Sequence, residues 1–194
     1  MVAYGQQTAE SVLIEAAKAG DQEAFRQIVE RYQGAVHNLA YRMLGTPEEA
    51  EDAAQEIFVR IYRQLGRYDS ERKFSTWTLA IATNYCIDQL RRRRMQFVPL
   101  ENIIPWARAR DSGPEGEALS SESRDEMQRL LKRLPEKYRA PLVLRYWEDL
   151  SCAEIAEILG VPEGTIKTQI HRARKQLGKM LEGVEERQDA LSRV

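Results

Sequence analysis

The stretch SCAEIAEILGVPEGTIKTQIHRARKQL, Ser151 to Leu177, leaves the chain the fewest ways to fold. Ser151 placed three residues ahead of Glu154 is a capping box, in which the hydroxyl accepts from one free helix N–H and the carboxylate reaches back to another. A helix therefore begins here, with Ala153, Ile155, Ala156, Ile158 and Leu159 on its buried side. Gly160 admits the left-handed conformation that ends it. Pro162 suits the first position of a new helix, where a missing N–H costs nothing. Ile166, Ile170, Ala173 and Leu177 then recur at helical spacing, so the stretch reads as a helix-turn-helix. Lys167, Thr168, His171, Arg172, Arg174 and Lys175 fall on the outer surface of the second helix. They mix phosphate-seeking charge with groups that bond base edges, which suits a DNA major groove. A solvated amphipathic pair is the plainer alternative, since basic residues toward a helix C-terminus also favour the macrodipole. Capping box, glycine turn, proline restart and basic face occurring together favour DNA recognition.

What such a reader serves depends on the rest of the chain. Its 194 residues, 43% hydrophobic and 30% charged, suffice for one domain or two small ones. Lys and Arg number 29 against 30 Asp and Glu, whereas a free-standing DNA binder carries a basic excess. The charge is segregated instead: Glu48, Glu49, Glu51, Asp52 and Glu56 are acidic neighbours, while Arg91 to Arg94 and Lys167 to Lys179 are basic. Such a chain is expected to bind DNA weakly by itself. No apolar run approaches a membrane span, and MVAYGQQTAE lacks the pattern of a secretion signal. A cytoplasmic protein without membrane insertion is expected. Cys86 and Cys152 read as reduced packing residues, and His37 and His171 are too scattered for a metal site; neither metal nor cofactor is expected.

Along the chain, Leu13, Ile14, Ala16 and Ala17 predict a helix stopped by Gly20, and Asp21 caps the next. That second helix keeps a 3.6-residue period from Phe25 through Ile28, Tyr32, Val36 and Leu39 to Leu44. Thr46-Pro47-Glu48-Glu49 opens a third helix with a second capping box. Its apolar face is Ala50, Ala53, Ala54, Ile57, Phe58, Ile61, Tyr62 and Leu65. The opposite side, with Asp52, Gln55, Glu56 and Arg60, reads by periodicity alone as a solvated charged face. A polar loop, Gly66 to Phe74, leads to the helix STWTLAIATNYCIDQLRRRR, which buries Leu79, Ala82, Cys86 and Leu90. Asn84, Asp88 and Arg91 form a second stripe, with Trp77 further up and Arg92 alongside. Aromatics, amides and arginines together suit single-stranded nucleic acid. Trp77 taken alone fits a core position better, and the arginines fit phosphate at least as well as solvent. Residues 96–119, with Pro99, Pro105 and Pro114, read as a linker whose Phe97, Ile103 and Trp106 can dock on a partner. Helical period resumes at Met127. Pro141 predicts a bend or break, and the tail after Leu177 is expected to fray. The expected fold is all-α: two small helical domains, 8–95 and 120–182, joined by the linker.

DAAQEIFVRIYRQL, RKFSTWTLAIATNYCIDQLRRRR and LPEKYRAPLVLRYWEDLSCAEIAEILGVPEGTIKTQIHRARKQL occur in that order. With these segments the chain resembles, over nearly its whole length, the extracytoplasmic-function sigma factors of bacterial RNA polymerase. The resemblance implies a sigma region 2 in the first domain and a region 4 in the second. It implies a non-enzymatic subunit that directs core polymerase to promoters and helps melt the −10 element, in a stress or envelope response under an anti-sigma factor that is commonly membrane-bound. Asp52, Gln55, Glu56 and Arg60 would meet the clamp helices of the largest subunit, with the polymerase flap as a further contact. Tyr68, Asp69, Ser70, Asn84 and Asp88 match the element that takes up a flipped −10 base, beside Trp77, Arg91 and Arg92. Unstacking a base costs a few kcal/mol, so such a pocket selects which sequence opens. Lys167, Thr168, His171, Arg172, Arg174 and Lys175 match the −35 reader. The alternative is a helix-turn-helix regulator with an N-terminal sensing or dimerisation domain. An enzyme acting on nucleic acid ranks lower, because no carboxylate cluster, activated nucleophile or phosphate-binding glycine loop stands out.

Overall fold

Helix boundaries fall where the capping residues sit. In the computed structural model, which describes residues 2–96 and 120–191, α1 (Val2–Lys18) stops just before Gly20. Asp21 Oδ1 accepts from the N–H groups of Glu23 at 2.8 Å and Ala24 at 3.1 Å, which starts α2 (Gln22–Leu44). Gly45 closes α2 at a φ of 110°, a left-handed value that a side chain would strain. Thr46 Oγ1 accepts from Glu49 N–H at 3.3 Å, and Pro47 opens α3 (Pro47–Gln64). The second capping box is only half made, because the Glu49 carboxylate pairs with Arg93 at 2.7 Å. A 3-10 turn (Leu65–Arg67) and a loop precede α4 (Phe74–Gln96). The second group comprises α5 (Ser120–Arg133), α6 (Glu136–Tyr146), α7 (Cys152–Leu159) and α8 (Glu163–Leu191). All elements of the described residues are helical; the proposed linker, with Phe97, Ile103 and Trp106, lies outside the described residues apart from its first residue.

Val36, Leu39, Met43, Ile57, Ile61 and Cys86 centre the first group, and Leu131, Leu134, Leu142, Ile155 and Ile166 the second. The two centres join into one apolar cluster, because α2 packs on α5 and α6 while α4 packs on α6 and α7. Helix α4 is therefore covered from both groups, and Thr76, Thr78 and Thr83 are buried along with its apolar stripe.

Four local expectations change. Tyr62 is 47% exposed and meets the Phe25 ring edge-on, since it lies at the border of the stripe whose middle, Ile57, Ile61 and Leu65, stays buried. Ala153 is exposed because an eight-residue helix presents a narrow stripe, here Ile155 and Ile158. Of the bend or break expected at Pro141, the break does not occur: α6 is continuous from Glu136 to Tyr146, and the carbonyl deprived of a donor belongs to exposed Lys137, where water can serve it. Helix α8 continues past Leu177 to Leu191, through a segment rich in strong helix formers such as Glu, Arg and Gln.

Cys86 is fully buried and its thiol is pushed up to about 12 by burial, whereas Cys152 is only half-buried. Timed alkylation of the native protein, read by mass spectrometry, should label Cys152 well before Cys86. Equal labelling rates would contradict this packing.

Candidate nucleic-acid and polymerase interfaces

Spacing of three, one and four residues brings Asp52, Gln55, Glu56 and Arg60 onto one side of α3. Asp52 and Gln55 are exposed, and Glu56 and Arg60 half-buried. Arg60 Nε donates to Glu56 Oε1 at 3.0 Å, and its guanidinium lies 4.7 Å from the centre of the Tyr85 ring on α4. Val59 and Tyr62 add exposed apolar surface beside this quartet, as a partner-binding face requires. A shallow groove continues onto α2, lined by Gln33, Gly34, His37 and Glu51 together with Gln55. Sequence reading missed this extension, although Gln33, Gly34 and His37 visibly interrupt the apolar period of α2.

The loop before α4 is built around an aromatic cluster. Tyr68 is buried, its hydroxyl donates to the Arg72 carbonyl, and its ring centre lies 5.0 Å from Phe74 and 5.2 Å from Trp77. The Tyr32 ring meets Phe74 edge-on at 5.4 Å, and its hydroxyl donates to Glu10 at 2.6 Å, tying α1, α2 and α4 together. Tyr68 is thus a wall of the loop rather than an open stacking platform. Asp69 Oδ1 accepts from Glu71 N–H at 3.0 Å, a side-chain-closed turn that leaves Ser70 exposed at the tip. Trp77 is half-buried, consistent with the core alternative, yet it also lines a cleft of about 290 Å³ with Arg72, Lys73 and Thr76. Asn84, Asp88 and Arg91 form an exposed stripe as expected, with Arg92 exposed alongside. Four successive helical residues point in four directions, so one of the arginines turns inward: Arg93 reaches Glu49.

Sequence reading passed over Arg72 and Lys73. They pair across the cleft with α7: Arg72 Nη1 lies 2.9 Å from Glu157 and Lys73 Nζ 3.0 Å from Glu154. The Ser151 backbone N–H, followed by Lys73, holds the Glu154 carboxyl down at about 2.

In the carboxy-terminal group the capping box is complete, with Glu154 N–H donating to Ser151 Oγ at 3.2 Å and Ser151 N–H to Glu154 Oε2 at 3.0 Å. Gly160 takes a φ of 64°, closing α7 as its sequence position required. Pro162 sits one residue ahead of α8 rather than inside it, and its carbonyl accepts from Thr165 N–H at 2.9 Å. Ile166, Ile170 and Ala173 are buried, which leaves Lys167, Thr168, His171, Arg172, Arg174 and Lys175 exposed as a set. Several are already oriented: Lys167 pairs with Glu163 at 2.8 Å, Thr168 Oγ1 donates to the Gly164 carbonyl at 2.9 Å, and Arg172 lies by the Tyr138 hydroxyl and lowers its pKa.

A helix-turn-helix with an exposed basic face, packed beside a second helical group that has its own arginine stripe, is the layout of a two-headed DNA-binding protein. Residues 28–95 match the family Sigma-70 region 2, and residues 124–177 match Sigma-70, region 4. The chain is 42% identical over 176 residues to the ECF RNA polymerase sigma factor SigW of Bacillus subtilis (strain 168), covering 87% of this chain and 94% of that protein. It is 34% identical over 180 residues to the ECF RNA polymerase sigma-E factor of Escherichia coli (strain K12), covering 89% and 94%. Among solved structures, CnrH in complex with the cytosolic domain of CnrY has a similar fold, with a TM-score of 0.67 at 23% identity over 90% of this chain and 98% of that one. The sigma factor RpoE in complex with the anti-sigma factor NepR from Bartonella quintana does so with a TM-score of 0.62 at 21% identity, over 81% and 96%. The chain belongs to the extracytoplasmic-function RNA polymerase sigma factors and acts as a sigma factor in transcription initiation. No helix of the described residues is long and apolar enough to cross a membrane.

Proposed function

We propose that this sigma factor docks on core polymerase through Asp52, Gln55, Glu56 and Arg60 of α3, and that this face meets the clamp helices of the largest subunit. Asn84, Asp88, Arg91 and Arg92 read and open the −10 element together with Asp69 and Ser70 of the loop tip, while Tyr68 and Trp77 shape the pocket from within. Lys167, Thr168, His171, Arg172, Arg174 and Lys175 read the −35 element. The division of labour follows the domains, 8–95 for docking and −10 recognition and 120–182 for −35 recognition. Control by an anti-sigma factor fits the complexes in which the fold's solved likenesses occur. The observation that carries the reading is the placement of the α3 quartet and the α4 stripe on adjoining helices, both facing solvent, so polymerase and a melted strand can be held at once.

Run-off transcription with core polymerase on a randomised promoter library tests it, and should return defined −10 and −35 sequences. Reversing charge with Asp52→Lys and Glu56→Lys should weaken co-purification with core about tenfold while the helical content persists. Lys167→Ala with Arg174→Ala should lower promoter-specific output about tenfold or more with core binding retained. Normal transcription by both pairs of variants would show that other faces carry these roles.

A further inference from the structure

Helix α1 lies ahead of the stretch that matches Sigma-70 region 2, residues 28–95, yet one of its faces backs the loop before α4. Glu10, Ile14, Ala17 and Lys18 share that face at helical spacing. Ile14 and Ala17 are buried, and α1 packs on α2 and on the 3-10 turn Leu65–Arg67 that leads into the loop. The two polar members of the face both reach the aromatic cluster, and each side chain is only 20% exposed. Lys18 Nζ lies 5.3 Å from the centre of the Tyr68 ring and is paired with Glu15 at 2.8 Å. Glu10 accepts from the Tyr32 hydroxyl at 2.6 Å and lies 3.4 Å from Arg31 Nε. The Tyr32 ring in turn meets Phe74, on which Tyr68 leans. Burial, followed by the carboxylates of Glu10, Asp69 and Glu15, pushes the Tyr68 phenol up, so α1 and the loop tip both bear on this one ring.

We propose that Lys18 and Glu10 are positioning residues of the −10 reader, which set the pose of Tyr68 from α1 and through it the pose of the loop tip, Asp69 and Ser70. The proposal rests on the assignment of that loop to the −10 element. Lys18 acts directly: it lies over Tyr68 while Phe74 and Trp77 meet the same ring at 5.0 and 5.2 Å, so three neighbours hold it. The Tyr68 hydroxyl donates to the Arg72 carbonyl, which ties the held ring to the far end of the turn. Glu10 acts at one remove, by holding Tyr32 against Phe74. A cation on a partly desolvated ring is a stronger restraint than an exposed ion pair, because less water competes for it. A tip fixed before the base arrives loses less binding energy to ordering, and only a base that fits the fixed pose gains from this. Holding Tyr68 therefore sharpens the choice between bases more than adhesion to a strand, which phosphate contacts supply whatever the sequence. The proposed docking quartet lies on α3, whose main packing partners are α2 and α4, so core binding stands apart from this device.

Holoenzymes assembled from core polymerase and full-length variants test this by run-off transcription on two templates: a promoter returned by the randomised library, and a copy altered at its most selective −10 position. The wild type should favour the first about tenfold or more. Lys18→Met, which keeps the stem and removes the cation, should cut that ratio about fivefold with core co-purification unchanged. Lys18→Arg, which returns a cation to the ring, should restore it. Tyr32→Phe keeps the ring against Phe74 and loses the hydroxyl bonded to Glu10, and should cut the ratio about threefold. Circular dichroism verifies that helix content is kept. A role in stability alone would lower output from both templates alike and leave the ratio where it was. An unchanged ratio in Lys18→Met or in Tyr32→Phe overturns the proposal, as does failure of Lys18→Arg to restore it. Asp69→Ala reports on the loop itself. If it leaves the ratio unchanged, the tip does not read the −10 element and the proposal falls with that assignment; if it lowers the ratio while the other variants do not, only the role of α1 falls.

Discussion

Replacing Phe74 by alanine should destabilise the protein by about 3–5 kcal/mol, the usual cost of emptying an aromatic site in a packed core. For a chain of this size that lowers the melting temperature by roughly 6–20 °C. Phe74 is 2% exposed and lies 5.4 Å from both the Tyr32 and the Trp77 rings and 5.0 Å from Tyr68, so it touches all three. Its loss should reach function by a defined route. Tyr68 leans on Phe74 while its hydroxyl holds the Arg72 carbonyl, and that bond folds the loop carrying Asp69 and Ser70. Binding of a −10 oligonucleotide is therefore expected to fall further than binding of core polymerase, whose proposed docking quartet lies on α3. Phe74→Leu, which refills much of the volume, should recover most of the stability and less of the oligonucleotide binding. A variant that melts early yet binds the oligonucleotide normally would mean that Phe74 fills space without shaping the loop.

Arg139→Ala is expected to cost about 3 kcal/mol, taking charged hydrogen bonds at about 1.5–3 kcal/mol each and allowing for the desolvation that burying the guanidinium already costs. One guanidinium serves the carbonyl ends of two helices: Nη2 donates to Lys132 at 2.7 Å and Leu134 at 2.9 Å at the end of α5, and Nη1 to Met43 at the end of α2. Burial pulls its pKa down to about 10, which still leaves it charged near neutrality, as a cation between two negative dipole ends should be. Arg139→Met keeps the packed volume and loses the donors, so it should remain nearly as destabilised as the alanine variant in urea titration. Recovery of wild-type stability with methionine would show that the site needs bulk rather than hydrogen bonds.

These two residues mark the boundary of what the chain's pattern discloses. Asp21, Thr46, Ser151 and Gly160 were legible because a cap is settled within three or four residues of itself. The exposed faces of α3 and α8 were legible for the same reason: a period separates inside from outside without naming the neighbour. Arg139 reads as one more charge in LPEKYRAPLVLRYW, and nothing local shows that its partner is Met43, 96 positions earlier. Gln128 and the Tyr41 carbonyl are 87 positions apart and equally invisible. The enclosure of Tyr68 is equally hidden in the polar loop Gly66 to Phe74, because the rings that surround it come from Phe74 and Trp77 across a turn. Arg93 was indistinguishable from Arg91, Arg92 and Arg94 until the helix phase placed it against Glu49.

The contact between Arg60 and Tyr85 has a consequence for heredity. The Arg60 guanidinium links the proposed polymerase-facing side of α3 to the ring of Tyr85, which neighbours Asn84 on α4, and Glu56 holds that guanidinium from the other side. On the proposed assignments, any coupling between affinity for the enzyme and affinity for the opened strand is reciprocal, each altering the other by the same factor. On the same assignments, substitutions at Tyr85 are expected to alter promoter choice although the ring is buried, with compensating changes at Glu56 and Arg60. What selection sees as a change of regulon would begin as a change in how one ring rests on its neighbour.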